Sequence, residues 1–577
     1  MTWKRFKTKR AKNVNKKALK GNSLGGMNLK VKQITSMEHL MCYQDDWNRI
    51  LSINQNNNPF IEFDWIYQWL LYFRNSYDIQ IYVVEYENQV IAFVPFTKQK
   101  KNVYEYIQFV GFNQANYMDI VAVEEWKERA IRTVLNEIMN QPRTVFILHG
   151  LLESKRTSQI FIRYFTEQGI PFYTSQIVSP YIDFGKIENF NDFIKKKMKK
   201  HGGDRKEKRL KTLGNVTVYP LRDDQLEVMF QLHKKRWKMK MDTSGFTKGH
   251  THEFYKSLSL IKNDVLETKL EGLFIENHLI AFFYGFVCRN RYVLYILSHD
   301  DDFGLFSPGR MLLHETIKDR YLNHVTYYDL SIGYEPYKLD WNTCTDRVNK
   351  VIFPGKGWVA RIGFWSITFK ENLIQACKKN WRLVHFKRNT MGKIKKYVQE
   401  FRFPHFKKIV HAIGLYIFQK YVYEVHRMNR DDLNAQNATN FQLLTLKDIY
   451  KYPTICQGDF KNIMKKLYQK QQSYCVIKND QVFNCFWVNK TEVRMDDLGI
   501  VEPLTKNSLY VYDWMFFDGN AIAELFQKHN NVESIYITIP NHYKNKNIFY
   551  EHGFVKEYQI TKIKILGFSF IKKQFFQ

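Results

Sequence analysis

The chain has 577 residues, 45% of them hydrophobic and 16% aromatic, with 87 lysines and arginines against 57 acids. This excludes a disordered protein and supplies apolar surface for about three or four domains at ~150 residues each. Seven scattered cysteines with no C-x-x-C pair argue against a disulfide framework or a zinc site, while the formal charge of +30 fits a polyanion, anionic lipid or phosphorylated partner, or else plain lysine-rich usage.

Residues 1–31 are rich in Lys, Arg, Asn and Gly and read as a disordered basic arm, with Met27 as a second possible start. No run of about 18 apolar residues predicts a membrane span. No apolar core follows the basic start, so no secretory signal is expected. Residues 32–186 alternate strands with amphipathic helices. Ile79–Glu85 and Gln89–Phe96 form a hairpin about Asn88, Glu124–Asn140 is helical, Thr144–His149 is a strand and Ser154–Gln168 is helical. Residues 187–345 repeat that order, which makes an internal duplication plausible. They hold a basic run Lys195–Lys211 broken at Gly202-Gly203, helices near Asp224–Lys238 and Thr251–Leu260, a hairpin about Asn277, and the strand Tyr292–Ser298.

The most informative stretch follows, from His299 to Trp341. It reads as a loop (Phe306-Ser307-Pro308-Gly309-Arg310), a helix from Met311 to about Leu322, a strand Thr326–Ile332 and a cluster of polar and aromatic residues up to Trp341. A helix N-terminus carries unpaired N–H groups and partial positive charge, which suits an anionic ligand. Residues 346–430 interleave Lys and Arg with Trp, Phe, Tyr and Leu on helical periods, as in Trp365–Lys378 and Ile394–Val410. They predict a basic helical connector that either lies on an anionic membrane surface or packs on the core with solvated lysines. Residues 431–577 form a third αβ unit whose phosphate loop is only Asp518-Gly519-Asn520, an acidic and degenerate version.

Several motifs carry a resemblance. Phe306-Ser307-Pro308-Gly309, then Tyr328-Asp329-Leu330 and Gly333-Tyr334-Glu335-Pro336-Tyr337-Lys338…Trp341, is similar to the end of a CelD/BcsL-type acetyltransferase domain of the GNAT superfamily. Phe193-Ile194 with the lysine-rich run, Leu213-Gly214-Asn215-Val216 and Leu232-His233-Lys234-Lys235-Arg236-Trp237 resemble its start. Pro59-Phe60, Trp65, Trp69, Pro95, Gly111 and Tyr117-Met118-Asp119 resemble an earlier half, so the likeness spans roughly 38–345. The Asn, Tyr and Gly-Phe of 541–554 resemble the last motif of ordinary GNAT domains.

The resemblance implies a mixed α/β (α+β) fold of tandem GNAT-like units with mostly antiparallel sheets, at 32–186 and 187–345, followed by the connector and the third unit. It implies a cytoplasmic acyltransferase, peripheral to the inner membrane face if the connector docks. The donor would be acetyl-CoA or another acyl-CoA, the acceptor an amine or hydroxyl of a sugar or cell-surface polymer precursor, and no metal is called for. GNAT transfer is direct attack on a thioester and requires a base, positioning and oxyanion stabilisation. The residues expected at the cofactor are Ser307, Pro308, Gly309, Arg310 and Met311. Glu335 is expected as base or substrate anchor, Lys338 as oxyanion or phosphate partner, Asp329 to orient Lys338, and Tyr337 as an aromatic wall. Trp341, Arg236, Trp237, Tyr117, Asp119 and His299 are the expected acceptor contacts. Plain alternatives stand beside each: a Glu335–Lys338 ion pair, core packing for Tyr337 and Trp341, and a solvated loop at Asp300–Asp302. Two rival functions remain open: a Fem-type aminoacyl transferase using aminoacyl-tRNA to extend a peptidoglycan precursor, and a non-catalytic GNAT-like scaffold.

Overall fold

The computed structural model describes residues 29–100, 103–200, 202–238, 246, 249–379, 418–433, 441–456, 459–478, 480–495, 498–515, 517–565 and 568–576. Alternating apolar residues build thirteen strands of one large sheet. These are β1 (Lys30–Ile34), β2 (Asp78–Tyr86), β3 (Gln89–Lys100), β4 (Glu105–Phe109), β5 (Val121–Ala122), β6 (Thr144–Leu152) and β7 (Tyr173–Asp183) in the first half. The second half gives β8 (Val216–Pro220), β9 (Leu266–Ile275), β10 (His278–Cys288), β11 (Arg291–His299), β12 (Tyr327–Asp329) and β13 (Cys344–Pro354). Both expected hairpins form. Their turns place two successive residues at positive φ, Glu87 (49°) and Asn88 (62°), then Glu276 (47°) and Asn277 (66°), the geometry that matches strand twist in a tight hairpin.

The strand order is β1-β2-β3-β4-β6-β13-β7-β12-β11-β10-β9-β8, with β5 on β3. The two halves therefore share a sheet and exchange their last strands: β13 pairs with β6, β7 pairs with β12, and β7 and β13 pair with each other. Among the described residues only β4–β6 and β11–β12 run parallel in this sheet, each pair joined by a helix, Lys127–Ile138 or Pro308–Leu322. A buried polar network fastens the halves. The Tyr117 hydroxyl donates to Asp329 Oδ1 at 2.8 Å and lies 2.7 Å from Ser179 Oγ, while Arg291 Nη2 reaches Asp329 Oδ2 at 2.5 Å.

The connector is only partly helical. After β13 comes the helix Trp358–Lys379, but residues 418–429 form a strand, β14 (Phe418–Asn429), because their alternating Val425 and Met428 pack into two cores on opposite sides of a second sheet. The expected helix at 394–410 lies outside the described residues, as do residues 1–28 of the basic arm. The strands that follow are β15 (Gln442–Leu443), β16 (Gln472–Lys478), β17 (Gln481–Asn489), β18 (Glu492–Met495), β19 (Ile500–Pro503), β20 (Ser508–Tyr512), β21 (Ser534–Pro540), β22 (Val555–Ile565) and β23 (Phe568–Phe575). The order of the second sheet is β15-β16-β17-β20-β21-β14-β22-β23, with β18 and β19 as a separate pair. Here too a parallel pair, β20–β21, is bridged by a helix, Gly519–Lys528.

The third unit docks on the second half of the large sheet through shared apolar packing. Phe460 and Tyr468, from the helix Phe460–Tyr468, meet Phe303 and Phe306 at ring distances of 5.8 and 5.1 Å. No helix of the described residues is long and apolar enough to cross a membrane.

Candidate active site

The strand–helix–strand crossover is the repeated element, and its three copies among the described residues differ at the helix start. In the first, Glu124 and Glu125 form the turn before Lys127–Ile138 and Glu128 lies in its first turn. Carboxylates there occupy the positive end of the helix. In the third, the Asp518 side chain caps the helix by accepting from the Asn520 N–H at 3.0 Å, and the His552 ring lies where a Cβ on Gly519 would stand, 1.9 Å away. That N-terminus is filled.

The second copy is basic. Ser307, in the left-handed conformation (φ 58°, ψ 52°), makes the turn, and Pro308 and Gly309 are the first helical residues rather than the turn itself. Proline suits a first helical position because its missing N–H has no intrahelical role. The Lys206 ammonium donates to Ser307 Oγ at 3.0 Å. Burial first, then the Arg310 guanidinium, holds Lys206 below the ordinary lysine range. Arg310 Nη1 is buried without a hydrogen bond, and its Nη2 stands 4.0 Å from Asp340 Oδ2. Burial likewise lowers Arg310. Asp340 also takes Lys200 at 2.6 Å, and Lys197 donates to its carbonyl. Lys200 and Arg310 thus face one carboxylate, Lys197 its backbone carbonyl and Lys206 the helix start itself, so cationic donors outnumber acids here. The helix Phe190–Lys200 ends and the helix Gly203–Lys211 begins at Gly202 (φ 61°), a break that turns Lys206 toward Ser307.

Beside this anion site β11 and β12 separate. They pair only over Arg291–Val293 and Tyr327–Asp329, and β12 is three residues long instead of the expected seven. The strand stops because Asp329 Oδ1 accepts from the Ser331 N–H at 2.6 Å and Ser331 turns to φ 66°. The residues after it form a short helix, Pro336–Trp341, preceded by Glu335 in extended conformation. Lys338 is buried; it donates to the Ile332 carbonyl and lies 3.3 Å from Glu335 Oε2. Burial lowers Lys338, with Glu335 and then Asp329 opposing. Tyr337 stands beside Glu335 and Arg236, and burial above all, with the Glu335 charge, pushes its phenol well up, so it stays protonated.

Arg236 is largely buried, its Nε without a hydrogen bond and 3.5 Å from Asp301 Oδ1. His299 Nε2 is 3.4 Å from the same oxygen, and its Nδ1 lies 3.5 Å from where a Cβ on Gly309 would stand. Side-chain proximities thus link Glu335, Tyr337, Lys338, Arg236 and His299 to the helix start formed by Ser307, Pro308, Gly309 and Arg310. Met311 turns its side chain into the core behind it. Trp237 stacks on His233 at 5.7 Å, next to this group.

Other expected contacts are internal. Asp329 is fully buried and bound to Arg291, Tyr117 and the Ser331 N–H; it does not orient Lys338 by contact. Tyr117 is 1% exposed and belongs to that network. Asp119 binds Lys127 at 3.0 Å and Thr157 at 2.5 Å, and Trp341 is buried against Phe193. The acids Asp300 and Asp302 are held by Lys235 at 2.9 and 2.7 Å. No cluster of metal-ligating side chains occurs among the described residues. Lys206 was not singled out by sequence; only its place within the basic run pointed to it.

Parallel strands that part beside a basic helix N-terminus, within mixed sheets, give this α/β domain a candidate anion site. Residues 199–339 match the family model described as an acetyltransferase (GNAT) domain, and this part of the chain is a GNAT-superfamily domain. No curated protein matches the sequence. Similar solved structures include a conserved protein of unknown function from Bacteroides thetaiotaomicron VPI-5482, at 12% identity over 56% of this chain and 99% of that one (TM-score 0.36). FemX matches at 10% identity over 56% and 96% (TM-score 0.38), and a tandem GNAT protein from the clavulanic acid biosynthesis pathway at 8% over 56% and 98% (TM-score 0.33). At such identities they bear on no point of activity.

Proposed function

We propose that the protein transfers an acyl group, most simply acetyl, from acyl-CoA to an amine or hydroxyl of a sugar or cell-surface polymer precursor, using the second crossover. The observation that supports this most is the buried Arg310 Nη1 without a partner, set beside Lys206 at a helix N-terminus. A pyrophosphate supplies the acceptor oxygens those donors lack. The basic run favours a compact phosphate over a polynucleotide, because Lys197 and Lys200 bind Asp340, Lys206 binds Ser307 and Arg209 binds the Tyr468 carbonyl.

The donor's thioester then lies where β11 and β12 part, facing Glu335 and Tyr337. Glu335, held by Lys338, takes the proton of the attacking amine or hydroxyl as the new C–N or C–O bond forms. The C–S bond breaks, and the protonated Tyr337 stabilises the departing thiolate by donating to it. Arg236 and His299 border the acceptor side.

Calorimetric titration with coenzyme A tests the reading. Gly309→Asp places a carboxylate at the phosphate position and is expected to weaken binding at least tenfold. Unchanged affinity in a folded variant removes the assignment. Binding without thiol release from acetyl-CoA, across a panel of amino sugars and hexoses, would instead support the non-catalytic scaffold.

A further inference from the structure

The helix Trp358–Lys379 carries a second apolar face that nothing covers among the described residues. Its inner face, with Ala360 and Phe364 buried and Ile367 partly so, packs on Val145, Ile147 and Ile352 of β6 and β13, and Glu371 binds Lys350 at 2.8 Å. This fixes the helix, so its outer side cannot roll inward. On that outer side stand Trp358, Ile362, Trp365, Phe369 and Leu373, with relative exposures of 73, 57, 64, 66 and 52%. At 100° per residue the five fall within an arc of about 80°, opposite the buried set, along roughly 22 Å of helix. Five large apolar side chains in one line are not the scattered exposed residues of an ordinary surface.

The stripe is bordered by cations. Lys356, Arg361 and Lys370 are exposed, and the only acid of the helix, Glu371, is turned to Lys350. In sequence, the adjoining residues 380–417 carry nine lysines and arginines (Arg382, Lys387, Arg388, Lys393, Lys395, Lys396, Arg402, Lys407, Lys408) against Glu400. Tryptophans favour the level of lipid headgroups, and lysines and arginines beside them favour anionic ones. A second copy of the chain would instead bring two basic borders face to face.

We propose that this outer face of Trp358–Lys379 is a docking surface for an anionic phospholipid bilayer, with the helix lying in the plane of the interface. The helix lies over β6 and β13, and β7 stands between them and the β12–β11 pair, so the proposal stands independently of the function assigned to the second crossover.

Co-sedimentation with phosphatidylglycerol/phosphatidylcholine vesicles, and with phosphatidylcholine vesicles as the neutral arm, tests it. The full chain is expected to bind the anionic vesicles, and added salt to weaken that binding. W365E/F369E is expected to bind at least tenfold more weakly with unchanged circular dichroism and thermal midpoint. Brominated phosphatidylglycerol is expected to quench tryptophan fluorescence in the wild type, and W358F/W365F to remove that quenching. Failure of the wild type to bind anionic vesicles at low salt overturns the proposal, as does binding unaffected by W365E/F369E. A dimer that W365E/F369E dissolves assigns the face to a second copy, and a lowered thermal midpoint in that variant assigns it to the chain's own packing; either result overturns lipid docking.

Discussion

The second and third crossovers use the same strand–helix–strand plan and opposite electrostatics. At Pro308–Leu322 the helix start is open and ringed by Lys206 and Arg310; at Gly519–Lys528 it is capped by Asp518 and filled by the His552 ring. The first crossover, led by Glu124 and Glu125, sides with the third. Repetition of a fold element therefore does not repeat the electrostatics of its helix start. A carboxylate at the helix start answers the helix field, which acts only over the first turn, and a ring there fills the space an anion would take.

The largest effect should come from the return strand of the second crossover. Asp329→Ala leaves Arg291 buried and unpaired, and is expected to cost about 3–5 kcal/mol in chemical denaturation. A variant of native stability would restore Asp329 as a candidate for chemistry rather than for holding the halves together.

The return strand of the first crossover ends near His149, whose pKa is lowered to about 4, by burial first and then by the Lys350 charge. A histidine neutral in the fold and ordinary when unfolded contributes stability that is complete above about pH 6.5. That stability is lost as pH falls toward 4, by roughly 3 kcal/mol. Denaturant midpoints between pH 7.5 and 4.5 should therefore fall less steeply in His149→Phe than in the wild type; parallel curves would contradict the assignment.

Glu335→Gln sharpens the comparison at the level of chemistry. It should keep coenzyme A affinity and lower kcat by about 10²-fold. Full turnover across the pH profile would reduce Glu335 to the ion-pair partner of Lys338.

The smallest effect contrasts two glycines. Gly519→Ala forces a Cβ into the His552 ring and should destabilise by about 1–3 kcal/mol through overpacking. At Gly309 the nearest atom, His299 Nδ1, is 3.5 Å from the new Cβ, so Gly309→Ala should change the denaturant midpoint by less than about 0.5 kcal/mol. Equal losses at both would mean that the second helix start is as tightly filled as the third.

What the sequence by itself determined was local. The hairpin turns at Asn88 and Asn277, the break at Gly202, a helix ending near Leu322 and the acid at Asp518 follow from residues a few positions apart, where backbone sterics and capping act; the start of that helix at Pro308, not Met311, came from the structure. The resemblance carried by Phe306–Gly309 and Tyr328–Trp341 reached the GNAT class and the Glu335, Tyr337 and Lys338 cluster.

Tertiary structure alone decided the rest. The exchange of β7 and β13 joins strands more than 160 residues apart, and hydrophobic alternation says which face of a strand is buried but not which strand lies beside it. The pairing of Asp329 with Arg291 depends on distant backbones meeting, which turned an expected site acid into one half of an internal ion pair. The helix after β13 shows the same limit. Ala360 and Phe364 alternate with Trp358, Ile362 and Trp365, so periodicity marks two apolar faces, and only the position of β6 and β13 beneath it selects the one that is covered.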